Sequence, residues 1–244
     1  MLKIALISDL HLGPAGYLHE GRDHRARFLM ALEEARACSP DAYFFMGDYS
    51  LAEPDPKVIQ WLKEELSSID QPIHWLAGNH DETGQLRSVL NLSIGSADTL
   101  DYTYQIGNLD IIVLDSSQKR LKPEQLIWLE RQLELAQNPT LFIHHPPILM
   151  GAKFMDSRHA LENHTELTRV LLDYGKPIFI FCGHYHSALT TTFENLTVCV
   201  VPPTSFSISP TTADFEYVPR PPAFQILMYE NGRFTAEVKY CEWA

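Results

Sequence analysis

The stretch Pro177-Ile178-Phe179-Ile180-Phe181-Cys182-Gly183-His184-Tyr185-His186-Ser187 carries the reading of the chain. Pro177 to Cys182 is continuously apolar, as a strand buried on both faces is. Gly183 ends the run, and two histidines follow at alternating positions. In an extended or turning segment such a pair aims two imidazoles at neighbouring points. That suits a polar turn, and it equally suits a pair of adjacent metal ions. The choice between them comes from how often the same construction recurs upstream.

It recurs four times. Lys3 to Ile7 runs into Ser8-Asp9-Leu10-His11, and Asp41 to Met46 runs into Gly47-Asp48-Tyr49-Ser50. Ile73 to Ala77 leads to Gly78-Asn79-His80-Asp81, and Thr140 to Ile143 leads to His144-His145-Pro146-Pro147. Helical patterns separate the runs. Arg22 to Cys38 turns Phe28, Leu29, Leu32 and Ala35 inward, and Pro56 introduces Lys57 to Ile69. Pro123 opens a helix to about Gln137, and another lies near Glu162 to Tyr174. In α/β sheets ligands bind outside the carboxyl ends of the strands, so the five polar clusters should meet on one edge. Each cluster alone reads as a cap or turn. Five together, rich in Asp, His and Asn, need a common purpose. Oxygen and imidazole donors without thiolate suit Mn²⁺, Fe²⁺/³⁺, Co²⁺ or Zn²⁺. Asp48, with no second ligand beside it, is the natural carboxylate to be shared by two ions.

The rest of the chain sets the frame. Tyr102 to Ile106 and Leu109 to Leu114 read as a hairpin across Gly107-Asn108, ending at Asp115, which reads as structural. Glu82 to Thr99 is ambiguous, and Met150 to Arg158 reads as a loop. Leu196 to Val201 is β-rich. Thr204 to Pro222 is a long ordered loop, a lid or a dimer contact, before a closing hairpin of Phe224 to Tyr229 and Phe234 to Tyr240. The length of 244 residues and 45% hydrophobic content suit one domain, 1–244. A net charge of −12 without a Lys/Arg cluster argues against nucleic acid polymers, though not against small anions. No apolar run reaches the roughly 20 residues of a membrane helix. Four cysteines without a CxxC spacing read as reduced thiols in a cytoplasmic protein. Trp61, Trp75, Trp128 and Trp243 read as core or partner-facing, and His19, His24, His74, His159 and His164 as surface or satisfied core residues. His24 and Tyr185, close to the clusters, are the two that also suit a pocket wall. Asp23 reads as part of a solvated helix face.

Asp9-x-His11, Gly47-Asp48, Gly78-Asn79-His80-Asp81, His144 and Gly183-His184-x-His186 resemble, in order, the motif set of the calcineurin-like metallophosphoesterases. The resemblance spans roughly residues 1–190. It implies an α/β fold, a four-layer α-β-β-α sandwich of two mixed β-sheets flanked by helices, with the active site at the C-terminal strand ends. It implies two metal ions. Asp9, His11, Asp48 and His186 would hold one, and Asp48, Asn79, His144 and His184 the other. His80 would contact phosphate and protonate the leaving oxygen, with Asp81 orienting it, while His145 would point away. The implied reaction is hydrolysis of a small phosphodiester by a hydroxide generated between the metals. Departures from the motif set narrow the subfamily. Ser50-Leu51-Ala52 and Ala77 stand where phosphoprotein phosphatases carry arginines, and Tyr49 is adjacent to Asp48 where purple acid phosphatases place tyrosine three residues on. His80 stands where lipid A precursor hydrolases have arginine. The chain looks most like bacterial class III cyclic-nucleotide and glycerophosphodiester phosphodiesterases, which are often homodimers. A phosphomonoesterase and a non-catalytic metal-bearing module are the alternatives.

Overall fold

Each apolar run becomes a strand because its side chains find cover on both sides. The computed structural model describes residues 1–96 and 98–242, so Trp243 lies outside the described residues. In the first half, β1 (Leu2–Ile7), β2 (Ala42–Phe45) and β3 (Ile73–Trp75) alternate with α1 (His24–Ala37), α2 (Pro56–Glu65) and α3 (Thr83–Leu90). The second half begins with β4 (Tyr102–Ile106), β5 (Leu109–Leu114), α4 (Pro123–Leu135), β6 (Pro139–Ile143), α5 (Lys153–Arg158) and α6 (His164–Asp173). It continues with β7 (Ile178–Cys182), β8 (Leu189–Phe193), β9 (Leu196–Val200), β10 (Ser207–Ile208), β11 (Tyr217–Val218), β12 (Ala223–Glu230) and β13 (Arg233–Tyr240).

Two mixed sheets result, ordered β13-β12-β1-β2-β3 and β4-β5-β6-β7-β9-β8. In the first, β1, β2 and β3 run parallel; in the second, β5, β6, β7 and β9 do. Alternation along each strand builds the layers. Phe44 faces across to Phe142, with ring centroids 4.6 Å apart, and Phe179 meets Phe234 at 4.5 Å. The neighbouring Phe45 points the other way, towards Phe28 of α1. On the far face of the second sheet, Ile112, Leu141, Ile143 and Ile180 join Leu129 and Leu133 of α4 and Leu167 and Leu171 of α6. The layers are therefore helix, sheet, sheet, helix. Among the described residues no helix is long and apolar enough to cross a membrane.

Several local expectations change. Leu29 is 38% exposed, and Ala31 takes its place in the core, because the buried stripe runs Phe28, Ala31, Leu32, Ala35 at helical spacing and position 29 lies off it. Asp23 is the N-cap of α1, accepting from the amides of Arg25 and Ala26. The ambiguous Glu82–Thr99 stretch contains α3, and the Met150–Arg158 loop contains α5. The sequence does not signal the strand β8: its Leu-Thr-Thr-Thr-Phe run is a largely exposed edge that, among the described residues, pairs only with β9. Thr204–Pro222 is ordered around the short β10–β11 ribbon.

Candidate metal centre

The parallel strands of both sheets end on the same side, so their following loops meet across the sandwich. They are sewn together by main-chain hydrogen bonds. The amide of Asp9 donates to the carbonyl of Gly47 at 3.1 Å, that of His11 to Asp48 at 2.9 Å, and that of Gly183 to His144 at 3.0 Å. Asp9, His11, Asp48, His184 and His186 all have left-handed backbone, with φ between 42° and 67°. Such conformations are uncommon for side chains with a Cβ and persist where the surroundings over-determine them. The close approach also explains two glycines. A Cβ on Gly78 would collide with the Asp48 carboxylate, and one on Gly183 with the Ser8 hydroxyl and Asp9.

Two groups of donors form. Asp9, His11, Asp48 and His186 offer ligand atoms all within 4.8 Å of one another, as do Asp48, His144 and His184. In the first, Nε2 of His11 and Nε2 of His186 are 3.0 Å apart, and each lies 3.5 Å from a carboxylate oxygen, of Asp48 and Asp9 respectively. Asp48 Oδ2 is also 3.3 Å from His144 Nε2, so this one oxygen belongs to both groups. The other oxygen of Asp48 accepts the His80 amide at 2.8 Å. For ligand bonds of about 2.1 Å, donors around one ion stand roughly 3.0–3.4 Å apart. The observed spacings match that.

The tautomers are set from behind, since a carbonyl only accepts. Nδ1 of His11, His144 and His186 donates to the carbonyls of Leu51, Met46 and Phe206, at 3.3, 2.7 and 2.7 Å, which turns each Nε2 to the donor groups. His184 is turned round: its Nε2 donates to His159 at 2.9 Å, leaving Nδ1 towards Asp48 and His144. Asp9 is fixed by the Ser8 hydroxyl at 2.6 Å and the His184 amide at 3.0 Å. Asn79 lines the same cleft, and its buried Oδ1 has no hydrogen-bond partner among the described residues. A buried acceptor left unpaired costs stability, and a cation would satisfy it. The donor set, its spacing and this orphan oxygen fit two ions.

Electrostatics point the same way. Burial raises the Asp9 carboxyl to about 7, with the Asp48 charge adding to it. Burial would raise Asp48 too, but His144 beside it holds it well below the usual range. Burial opposes charge on His144, yet Asp48 and Asp9 outweigh that and push it up to about 9. Burial takes His184 and His186 down to about 3, keeping them neutral. The neutral His184 and His186 match the protonation state that cation binding requires, and loading would displace the protons held by His144 and Asp9.

All seven expected metal ligands thus face one cleft or its floor. His80 also lines it, but its Nδ1 donates to the Ala52 carbonyl at 2.7 Å. The expectation that Asp81 orients His80 gives way. The Asp81 carboxylate instead accepts the amides of Asp48, Gly78 and Tyr49 at 2.7, 2.8 and 3.0 Å. It clamps the second and third loops together, because the turn after Gly78 folds its side chain back under them. His145 hydrogen-bonds Ser116 and packs its ring 4.1 Å from that of His184. His24 donates to the His11 carbonyl, Tyr185 to Asp156, and Asp115 accepts from Thr83; none of the three lines the cleft. The Tyr49 hydroxyl donates to the Leu76 carbonyl at 2.6 Å, with that of Phe45 3.0 Å away, and so points away from the donors.

The cleft above has a volume of about 420 Å³. Besides the donors it is walled by Tyr17, Phe154, Met155, Phe206, Ile208 and Phe215, and by His19 and His159, for which the sequence alone suggests the surface or core. No lysine or arginine is among its described lining residues. Phe206 and Phe215, two of three aromatics in an otherwise Pro/Ser/Thr-rich segment, are the available signal.

Residues 2–188 match the calcineurin-like phosphoesterase family. The chain belongs to that family. It is 30% identical over 242 residues to a protein of Fibrobacter succinogenes described as a probable cyclic nucleotide phosphodiesterase, covering 98% of this chain and 94% of the relative. It is 26% identical over 259 residues to a probable glycerophosphodiester phosphodiesterase of Arcobacter nitrofigilis, covering 97% and 92%. A dimetal phosphatase from Danio rerio superposes with a TM-score of 0.72 at 15% identity, covering 99% of this chain and 96% of that one, which shows the shared fold.

Proposed function

We propose that this chain is a dinuclear metal-dependent phosphodiesterase acting on small diesters of the cyclic-nucleotide or glycerophosphodiester type. The observation that carries the proposal is Asp48 Oδ2 standing in both donor groups at the floor of a cleft that carries no cationic side chain among its described residues. Asp9, His11, Asp48 and His186 would hold one ion, and Asp48, Asn79, His144 and His184 the other. Bound there, two ions would polarise the phosphoryl oxygens and supply a water of lowered pKa.

The chain's own residues do the rest. The buried carboxylates and neutral imidazoles fix the floor, and Asp81 holds its two loops in register. His80, anchored through Nδ1, presents Nε2 to the cleft, where in its imidazolium form it would donate to a phosphoryl oxygen and pass that Nε2 proton to the leaving oxygen, ending as the neutral ring. Dianionic monoesters are usually held by an arginine fork, and this lining offers none among its described residues, which favours diesters. The four unpaired cysteines suit a reducing, cytoplasmic setting.

The test is hydrolysis of bis(p-nitrophenyl) phosphate against p-nitrophenyl phosphate. Diester turnover should be abolished by chelation, restored by Mn²⁺ or Co²⁺, and exceed monoester turnover. Monoester turnover of equal or greater size would overturn the diesterase reading.

A further inference from the structure

The wall of the cleft is a chain of touching rings. Phe206 packs 4.3 Å from the ring of His186, Tyr217 follows at 5.2 Å from Phe206, and Phe215 at 4.6 Å from Tyr217. Phe154 continues 5.6 Å from Phe215, and His159 lies 5.1 Å from Phe154. The carbonyl of His159 then holds His184. The rings therefore arch from one donor group to the other.

Phe206, Phe215 and Tyr217 come from the segment around the β10–β11 ribbon, and Phe154 and His159 from α5 and its end. The ribbon is pinned from the opposite side: the Tyr217 hydroxyl hydrogen-bonds His19 Nε2 at 3.0 Å, and the Arg22 guanidinium lies 4.9 Å over the Tyr217 ring. The ribbon is thus tied to the loop before α1, yet the crown of the arch is not part of a core. Phe215 is 45% exposed, and Tyr17 at the cleft rim is 49% exposed. Aromatic rings anchored in this way and left open, with no lysine or arginine among the described lining residues of the cleft, are stacking surfaces for a planar group.

We propose that this arch stacks the base of a cyclic nucleotide whose phosphodiester rests on the donor floor, with Phe215 as the specificity-determining ring. The inference rests on the phosphodiesterase reading above and deepens it. A glycerol diester has no planar group to place there, so the arch would favour nucleotide over glycerol substrates.

The experiment compares metal-reconstituted wild type, Phe215→Ala and Phe215→Tyr on cyclic AMP and glycerophosphoethanolamine. It adds calorimetric binding of adenosine, which has no phosphate to offer the floor. Phe215→Ala should raise the KM for cyclic AMP roughly tenfold with little change in kcat, and lower the cyclic AMP to glycerophosphoethanolamine ratio of kcat/KM by a similar factor. Phe215→Tyr should restore both, and adenosine affinity should fall with the ring. Equal changes on the two substrates, or adenosine binding that ignores the substitution, would overturn the arch proposal while leaving the diesterase reading intact. A wild-type protein that binds adenosine through Phe215 but hydrolyses no diester would overturn the diesterase reading instead.

Discussion

The floor of the cleft and the wall above it are made of different material. The floor is buried and polar: Asp9 and His144 are 0% exposed, and five of its residues hold left-handed backbone. Each imidazole there is fixed by a hydrogen bond from behind. The wall is largely apolar and partly open, contributed by the β10–β11 segment, one short helix and the loop bearing Tyr17 and His19, and its rings touch mostly edge to face. Strain and over-determined hydrogen bonding belong where atoms must sit within tenths of an ångström of a cation. Broad, open ring faces belong where a ligand must be received and released. The difference separates what carries out chemistry from what selects the substrate, and substitutions in the two regions should fail in different ways.

The largest effect is expected from Asp48→Ala. It removes the oxygen common to both donor groups, so metal content measured by elemental analysis should drop by at least about a hundredfold in affinity, with turnover lost alongside. Retention of two ions per chain would break the division. His80→Ala should keep the metals and lower kcat by roughly 10²–10⁴-fold on poor leaving groups, with a much smaller loss on p-nitrophenyl esters. Equal losses on both would remove the proton-donor role. Asp81→Asn sharpens the boundary within the floor. It should cost about 1–3 kcal/mol of stability, because an amide cannot accept all three main-chain N–H groups, and should weaken metal retention. A loss confined to poor leaving groups would instead restore Asp81 as the partner of His80.

A smaller effect calibrates both regions from outside them. His74 is stacked between Phe44 and Tyr104, with ring centroids 4.5 and 3.8 Å away, and burial lowers its imidazole to about 4 from 6.5. The unfolded chain then binds more protons in that window. The contribution to stability is whole above about 6.5 and declines as the pH falls towards about 4. His74→Phe keeps the stack and removes the titration, so its Tm should fall less than that of the wild type on acidification. An unchanged Tm difference would show that acid sensitivity arises elsewhere, among the floor residues.

The floor was legible in the sequence and the wall was not. A strand's end is marked by an apolar run that stops, and parallel order carries every such end to one side. Residue type at those points, Asp9 to His186, therefore reports position in space. No such code places Phe154 beside Phe215. Their meeting depends on the path of Thr204–Pro222, which is held by Arg27 donating to the carbonyls of Thr204 and Arg220. His159 reads as a surface or core residue in the sequence because part of its role is a main-chain carbonyl, and a sequence does not display carbonyls. Asp81 was misplaced because adjacency to His80 suggested contact, whereas the turn geometry sent its carboxylate to three amides.

The central claim is that Asp48 is shared by two cations. Anomalous X-ray diffraction from crystals of the Mn²⁺-loaded protein tests it most directly. The structure predicts two peaks about 3.5–4 Å apart, flanking Asp48 Oδ2, with His11 and His186 on one and His144 and His184 on the other. A single peak, or peaks away from Asp48, would contradict it.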